Sequence, residues 1–239
     1  MNGEVDIESY LSKKDAKLGR VIKLVRARRG EPMRPRASTE TSFQALVRAV
    51  IYQRVSESAG TTVYSRLEEI AGGKLTPTRI GALTTARIRK AGLALSKSTY
   101  IQNLATWFDD NPKSAKRLPS MSNEEIVEAL TAIPGIGLWT VNVLLVFNLG
   151  RLDVAPAPDP IIRRAVQLVY GMRSMPSAEV VTKKMQGWRP YRSIASMYLW
   201  QATKLKITQA DLRPGRAKVD EAGLRRAPGA NRPLPAGKR

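Results

Sequence analysis

The sequence contains no cysteine and no histidine. Without cysteine there is no disulfide, no thiolate zinc site and no cysteine-ligated iron–sulfur cluster; without histidine there is no imidazole base or ligand. Acid–base chemistry must fall to carboxylates, lysines or tyrosines, and no metal centre is expected. Uncharged apolar runs long enough to span a bilayer are missing too. The opening Met1-Asn2-Gly3-Glu4-Val5-Asp6 lacks the charged-then-apolar order of a secretory signal. A soluble protein without a membrane partner is expected, cytoplasmic and nucleoid-associated, or nuclear in a eukaryote. Acidic residues are scarce beside basic ones: 20 Asp and Glu against 40 Lys and Arg, a formal net charge of +20 over 239 residues. Such an excess selects a polyanion as partner, and nucleic acid is the first that fits. A hydrophobic content of 43% supplies a sizeable core and excludes disorder throughout.

No stretch alternates convincingly at period two, whereas apolar residues recur at helical spacing along most of the chain, so the fold class is read as all-α. Leu11, Leu18, Ile22 and Val25, with charges between them, predict one amphipathic helix over Ile7–Arg29 whose other face is a string of Lys and Arg. Pro32, Pro35 and Ser38-Thr39-Glu40-Thr41 mark a linker, and Thr41 or Ser42 can cap a helix starting near Phe43. Phe43, Leu46, Val47, Val50 and Ile51 share one face of it. Further helices are predicted over 77–83, 85–91, 97–108, 123–130, 138–149, 160–169, 177–185 and 191–205. Residues 1–40 are expected to form an N-terminal helix and linker packing with the C-terminal lobe, 41–205 a core, and 206–239 a basic, flexible tail. The Gly, Pro, Lys and Arg of that tail cannot fill a core and suit loose, salt-sensitive attraction to DNA.

One segment carries most of the chemistry: Leu130-Thr131-Ala132-Ile133-Pro134-Gly135-Ile136-Gly137-Leu138-Trp139-Thr140, followed by Pro156-Ala157-Pro158-Asp159. Glycine at 135 and 137 permits backbone angles that a Cβ would obstruct, letting a turn between two helices close tightly. The amide N–H groups at the start of the second helix then make a seat for phosphate that needs no base contact. Alone, Pro-Gly-Ile-Gly is only a turn; its context is an apolar helix before it and a nearly all-round apolar helix, Trp139 to Phe147, after it. Asp159 precedes Pro160 and a helical run, so it is well placed as a helix N-cap as well as a reactive carboxylate.

Four blocks in this order resemble the helix–hairpin–helix DNA glycosylase superfamily, in the branch similar to 3-methyladenine-DNA glycosylase II. They are Phe43 to Ser56, Ala91 to Ile101, the hairpin through Asp159 to Arg164, and Trp188 to Trp200, and the likeness spans roughly Tyr10 to Leu205. The resemblance implies two helical lobes with a DNA-binding cleft between them. It implies a monomeric enzyme acting on double-stranded DNA that contains damaged bases, with Asp159 as the catalytic carboxylate beside the N-glycosidic bond. An alkylated purine bearing positive charge leaves without prior protonation, which suits a chain with no histidine. In relatives that also cleave the strand, a nucleophilic lysine occupies the position of Trp139; an indole forms no Schiff base, so a monofunctional enzyme is expected. Trp139 and Trp200 are the expected base-binding residues, by stacking or cation–π attraction, with core packing as the plainer role for each.

The same resemblance makes Gly135, Gly137 and Thr140 the hairpin's DNA contacts and puts Gln53 and Arg54 in the loop that fills the gap left by a flipped nucleotide, or against phosphates. Tyr52-Gln53-Arg54 departs from the usual Gly-Gln-Gln or Gly-Gln-Leu, and Val143 and Pro160 stand where similar enzymes place aromatics, which bears on base selectivity. No organic cofactor is expected; the one inorganic group implied is a monovalent cation held by hairpin backbone carbonyls. Two other functions stay open at the level of sequence. One is removal of uracil, mismatched thymine or another damaged base, and the other is a noncatalytic hairpin clamp on DNA.

Overall fold

The computed structural model describes residues 6–213. Thirteen α-helices run in order: α1 (Ile7–Lys14), α2 (Ala16–Arg29), α3 (Ser42–Tyr52), α4 (Glu57–Ile70), α5 (Pro77–Gly81), α6 (Thr85–Arg89), α7 (Leu95–Asp110), α8 (Pro112–Arg117), α9 (Asn123–Thr131), α10 (Leu138–Val143), α11 (Pro160–Tyr170), α12 (Ala178–Met185) and α13 (Arg192–Lys204). Among the described residues there is no strand, and no helix is long and apolar enough to cross a membrane.

Two separate hydrophobic cores make two lobes. The first gathers the predicted face of α3 (Phe43, Leu46, Val47, Val50, Ile51) with Leu67, Leu104, Leu130 and Val141. α3 starts where Thr41 and Gln44 cap each other reciprocally, which fixes its first turn. The second core packs Leu18, Val21, Ile22 and Val25 of α2 against Ile162 and Val166 of α11 and Ile194, Tyr198 and Leu199 of α13. The N-terminal helices thus build the lobe that the C-terminal helices complete. Met33 and Trp200 touch both cores. Residues 206–213 do not behave as tail: Ile207 and Leu212 are 4% and 7% exposed and fill the second core, so the expected boundary at 206 lies too early. The rest of the expected tail lies outside the described residues.

The predicted single helix over Ile7–Arg29 is two helices. Asp15 breaks it at φ −147°, ψ 100°, and its Oδ1 accepts from the Lys17 and Leu18 amides to cap α2. Tertiary partners override the helical pattern: Oδ2 of Asp15 accepts from the Tyr170 hydroxyl and, at 3.1 Å, from the Trp188 indole, with the Lys184 ammonium 3.6 Å away. Burial pushes the Asp15 carboxyl up, but these donors outweigh it and hold it below the ordinary carboxylate value. A lowered folded-state value adds stability above the unfolded pKa, and that stability is lost as pH falls through the folded value. Asp15→Ala is therefore expected to cost about 2–4 kcal/mol at neutral pH by removing the cap and orphaning buried donors. The gap to wild type should narrow in acid, and urea melts at neutral and acid pH check both statements. A gap that is constant or widens in acid would overturn them.

Candidate active site

The hairpin between α9 and α10 is seated on α7. The amide of Ile136 donates to Ile133 O at 3.0 Å, and Ile133 and Ile136, each 3% exposed, anchor the turn in the first core. The Asn103 amide donates to Pro134 O at 3.0 Å. Gly135 has φ +94°, and a Cβ there would lie 2.0 Å from Cδ1 of Tyr100, so both the angle and the space demand glycine. Gly137 differs from the sequence expectation. Its φ of −93° is open to any residue and a Cβ would meet nothing within 4 Å. It is the N-cap of α10, where the first amide to bond within the helix is Val141 to Gly137 O at 3.2 Å. The amides of Leu138, Trp139 and Thr140 are thus the unspent donors of the first turn.

The structure buries the side chain of Thr140, a residue expected at the DNA surface. It is 1% exposed, and its hydroxyl accepts from Nε2 of Gln53 at 3.2 Å. That bond commits the Gln53 amide to the hairpin helix. The turn after α3 is held from the other side by Lys97, whose ammonium donates to Ile51 O at 2.8 Å and Gln53 O at 2.7 Å. Burial pushes the Lys97 pKa down. Between these two clamps Arg54 takes φ +57° and stands exposed. A non-glycine residue in the left-handed region is maintained only where its surroundings fix it, and here two named clamps do so. Tyr52 turns away toward α4, its hydroxyl 2.7 Å from Thr61 Oγ1.

Asp159 lies where the chain passes from the first lobe to the second. The crossing is pinned to the start of α13: Arg192 grips both carboxylate oxygens of Asp153 at 2.7 and 2.9 Å, the Val154 amide donates to the Ser193 hydroxyl at 2.9 Å, and the Ser193 amide to Leu152 O at 3.0 Å. Asp159 then caps α11, its Oδ1 accepting from the Ile161 amide at 2.7 Å and the Ile162 amide at 3.0 Å. Its other oxygen accepts from the indole Nε1 of Trp139 at 2.5 Å. The expected cap is thus present, with a further bond to the hairpin helix, and the residue is 3% exposed. Among the described residues no lysine or arginine pairs with it.

The helix after the hairpin widens into a π-helical turn over Leu144–Asn148. From Thr140 to Asn148 every residue is buried except Val143 and Phe147, which with the half-buried Trp139 make one stripe four residues apart. Its two ends touch the second lobe. Trp139 bonds Asp159, and the ring of Phe147, 46% exposed, sits 5.3 Å from that of Trp200 at 40°. The structure thus joins Trp139 to Asp159 at one end of the stripe, beside the hairpin, and Trp200 to Phe147 at the other, eight residues along the same helix. Sequence reasoning misses Phe147, Lys97 and Asp153; the spacing of Phe147 from Trp139 is the only signal that points to any of them.

Comparison with known proteins bears on this arrangement directly. DNA-3-methyladenine glycosylase 1 of Schizosaccharomyces pombe is 33% identical over 215 residues, covering 87% of this chain and 91% of its own. The structure of the 3-methyladenine DNA glycosylase Mag1 of that yeast, in complex with abasic DNA, superposes with a TM-score of 0.72 at 30% identity over 84% of this chain and 97% of that one. A DNA-3-methyladenine glycosidase of Bacillus halodurans gives a TM-score of 0.71 at 27% identity over 87% and 95%. The family described as HhH-GPD superfamily base excision DNA repair protein matches residues 47–190, a span that holds the hairpin, the open stripe and Asp159. With the match covering more than half of the sequence and the site lying inside it, the chain belongs to the HhH-GPD superfamily of base excision DNA repair proteins.

Proposed function

We propose that this protein is a monofunctional DNA glycosylase that hydrolyses the N-glycosidic bond of alkylated, 3-methyladenine-type bases flipped out of duplex DNA, with Asp159 as the catalytic carboxylate. The observation that carries the reading is a buried carboxylate, fixed by three donors and carrying no cationic partner among the described residues, beside an open aromatic stripe between two lobes. As the bond to the base breaks, positive charge develops on the sugar, and a fixed carboxylate stabilises it without reorganising. The base leaves with the bonding pair, water adds to the anomeric carbon, and Asp159 orients that water or takes its proton. A base alkylated on a ring nitrogen already bears the positive charge and departs neutral, so no general acid is needed. Trp139 offers no amine, which supports base release without strand cleavage.

The remaining parts follow from the same geometry. The flipped base is taken between Trp139, Phe147 and Trp200. Arg54, held out from its clamped turn, enters the gap left in the duplex. The free amides at the start of α10 hold phosphate without reading sequence. No organic cofactor takes part. A monovalent cation would be held by hairpin carbonyls, of which Ile133 O and Pro134 O already accept hydrogen bonds. The working site is wherever the DNA is: the nucleoid, or the nucleus in a eukaryote. The names of the related yeast and bacterial enzymes support alkylated bases as the substrate class.

The test is a panel of duplexes carrying 3-methyladenine, 7-methylguanine, uracil or hypoxanthine, incubated with the protein and then treated with alkali to reveal abasic sites. Alkali-dependent breaks at the alkylated bases are expected. Breaks only at neutral bases, or none, would sink the reading. Trp139 gives a finer test, because its N–H is engaged with Asp159. Trp139→Phe keeps a ring but loses that donor, worth about 1.5 kcal/mol to a charged acceptor and so about tenfold in rate. The loss should appear in single-turnover release of cationic and neutral bases alike. A loss confined to cationic bases would instead assign Trp139 to the base and not to the carboxylate.

A further inference from the structure

α11 runs from the Asp159 cap to Gly171, which ends it in the left-handed conformation at φ 66°. At about 1.5 Å per residue, the rise from the Asp159 cap to the Gly171 cap sets the two roughly 18 Å apart. Two adjoining clefts of about 180 and 230 Å³ meet there, sharing Gly171 and Gln209. Lys17, Arg20 and Arg213 line one and Arg164 the other, and neither is lined by an Asp or Glu. Some cations elsewhere in the second lobe and its linker are paired, Arg26 and Arg34 with Glu8 and Arg192 with Asp153, while Arg163 is held by the neutral Pro176 O; what marks the groove is four cations lining it with no acid among them. Three of the groove's four cations are held by neutral partners. Arg20 donates to Leu212 O at 2.9 Å, Lys17 to Tyr170 O at 3.4 Å and Arg164 to Gln167 Oε1 at 3.3 Å. They are placed without being neutralised, and among the described residues none of the four forms an ion pair.

Like charges gathered along one groove repel unless an anion lies among them. Two contiguous clefts suit an extended polyanion better than a single small ion. The chain's own continuation has the wrong sign to fill them, since residues 214–239 hold seven Lys and Arg against two acids. We propose that this groove is a second phosphodiester-binding site, separate from the hairpin, which takes the backbone of the same duplex beyond the lesion. The proposal rests on DNA being the substrate, as argued above. Its effect is to hold the enzyme on long DNA while the cleft samples bases.

The test compares the salt dependence of affinity for a duplex of roughly 8 base pairs with a central lesion, which at about 3.4 Å per pair reaches only about 14 Å to either side, with that for one of roughly 40, for wild type and for Lys17→Gln/Arg164→Gln/Arg213→Gln; each phosphate that is no longer neutralised lowers the slope by about 0.9. Arg20 is left in place because it closes onto Leu212 O. On the longer duplex the triple variant should reduce the slope by about 2 to 3, and on the shorter one leave it unchanged. The charge-keeping variant Arg164→Lys/Arg213→Lys should retain the wild-type slope, and thermal melts report that each protein is folded. An unchanged slope on the longer duplex overturns the proposal, and so does an equal drop on both lengths, which would put these cations on the primary duplex. Base release by the wild-type protein is scored separately, so failure of the groove and failure of the glycosylase reading are distinguishable.

Discussion

Asp159→Asn is expected to cut single-turnover base release by about 100- to 1000-fold, the usual consequence of removing one fixed group that stabilises transition-state charge. The substitution keeps an oxygen for the Ile161 and Ile162 amides, so the cap on α11 survives. It also turns an NH2 toward the indole N–H of Trp139, donor against donor, where the carboxylate accepted. A stability loss of about 1–3 kcal/mol should accompany the loss of chemistry. Rates must therefore be taken per folded molecule, with the melting temperature measured on the same sample. Binding to lesion DNA should persist. Base release near wild type from folded Asp159→Asn protein would remove Asp159 from the chemistry and leave it a cap.

The two glycines of the hairpin are expected to fail in opposite ways. Gly135→Ala puts a Cβ 2.0 Å from the Tyr100 ring at φ +94°, and it should destabilise the first lobe by about 2–4 kcal/mol through strain and overpacking. Gly137→Val meets no neighbour within 4 Å and has an ordinary backbone angle. It should melt within about 1 kcal/mol of wild type. Its side chain nevertheless stands at the amides offered to phosphate, so affinity for damaged and undamaged duplex should fall together. Gly137→Val with wild-type affinity for both duplexes would show that the hairpin is not the phosphate seat. A loss of lesion preference alone would count against it equally.

Much of this arrangement is legible in the residues. The α3 face from Phe43 to Ile51 reads as a helix because burial on one side leaves a 3.6-residue period, and it is buried as read. The hairpin is legible because Gly135 has no substitute at that angle. The break at Asp15 is not, because its cause lies in Tyr170 and Trp188, more than 150 residues away. Nearness to the hairpin makes Thr140 look like a DNA contact, whereas its side chain is buried and its hydroxyl accepts from Gln53. Phe147 is hidden in a nearly all-round apolar run, where period alone cannot say which face opens. Sequence makes Trp139 a wall for the base; that it also holds the carboxylate 20 residues on is a fact of the turn at the lobe crossing.

Because Asp159 is both the cap of α11 and the proposed reactive group, the enzyme's output is conditional on the integrity of its second lobe. A molecule in which α11 has frayed at its first turn loses the two amides that aim the carboxylate, and so falls silent before it unfolds. Local fraying of the second lobe is thus expected to cost base release before it costs binding at the hairpin, which is anchored in the first core.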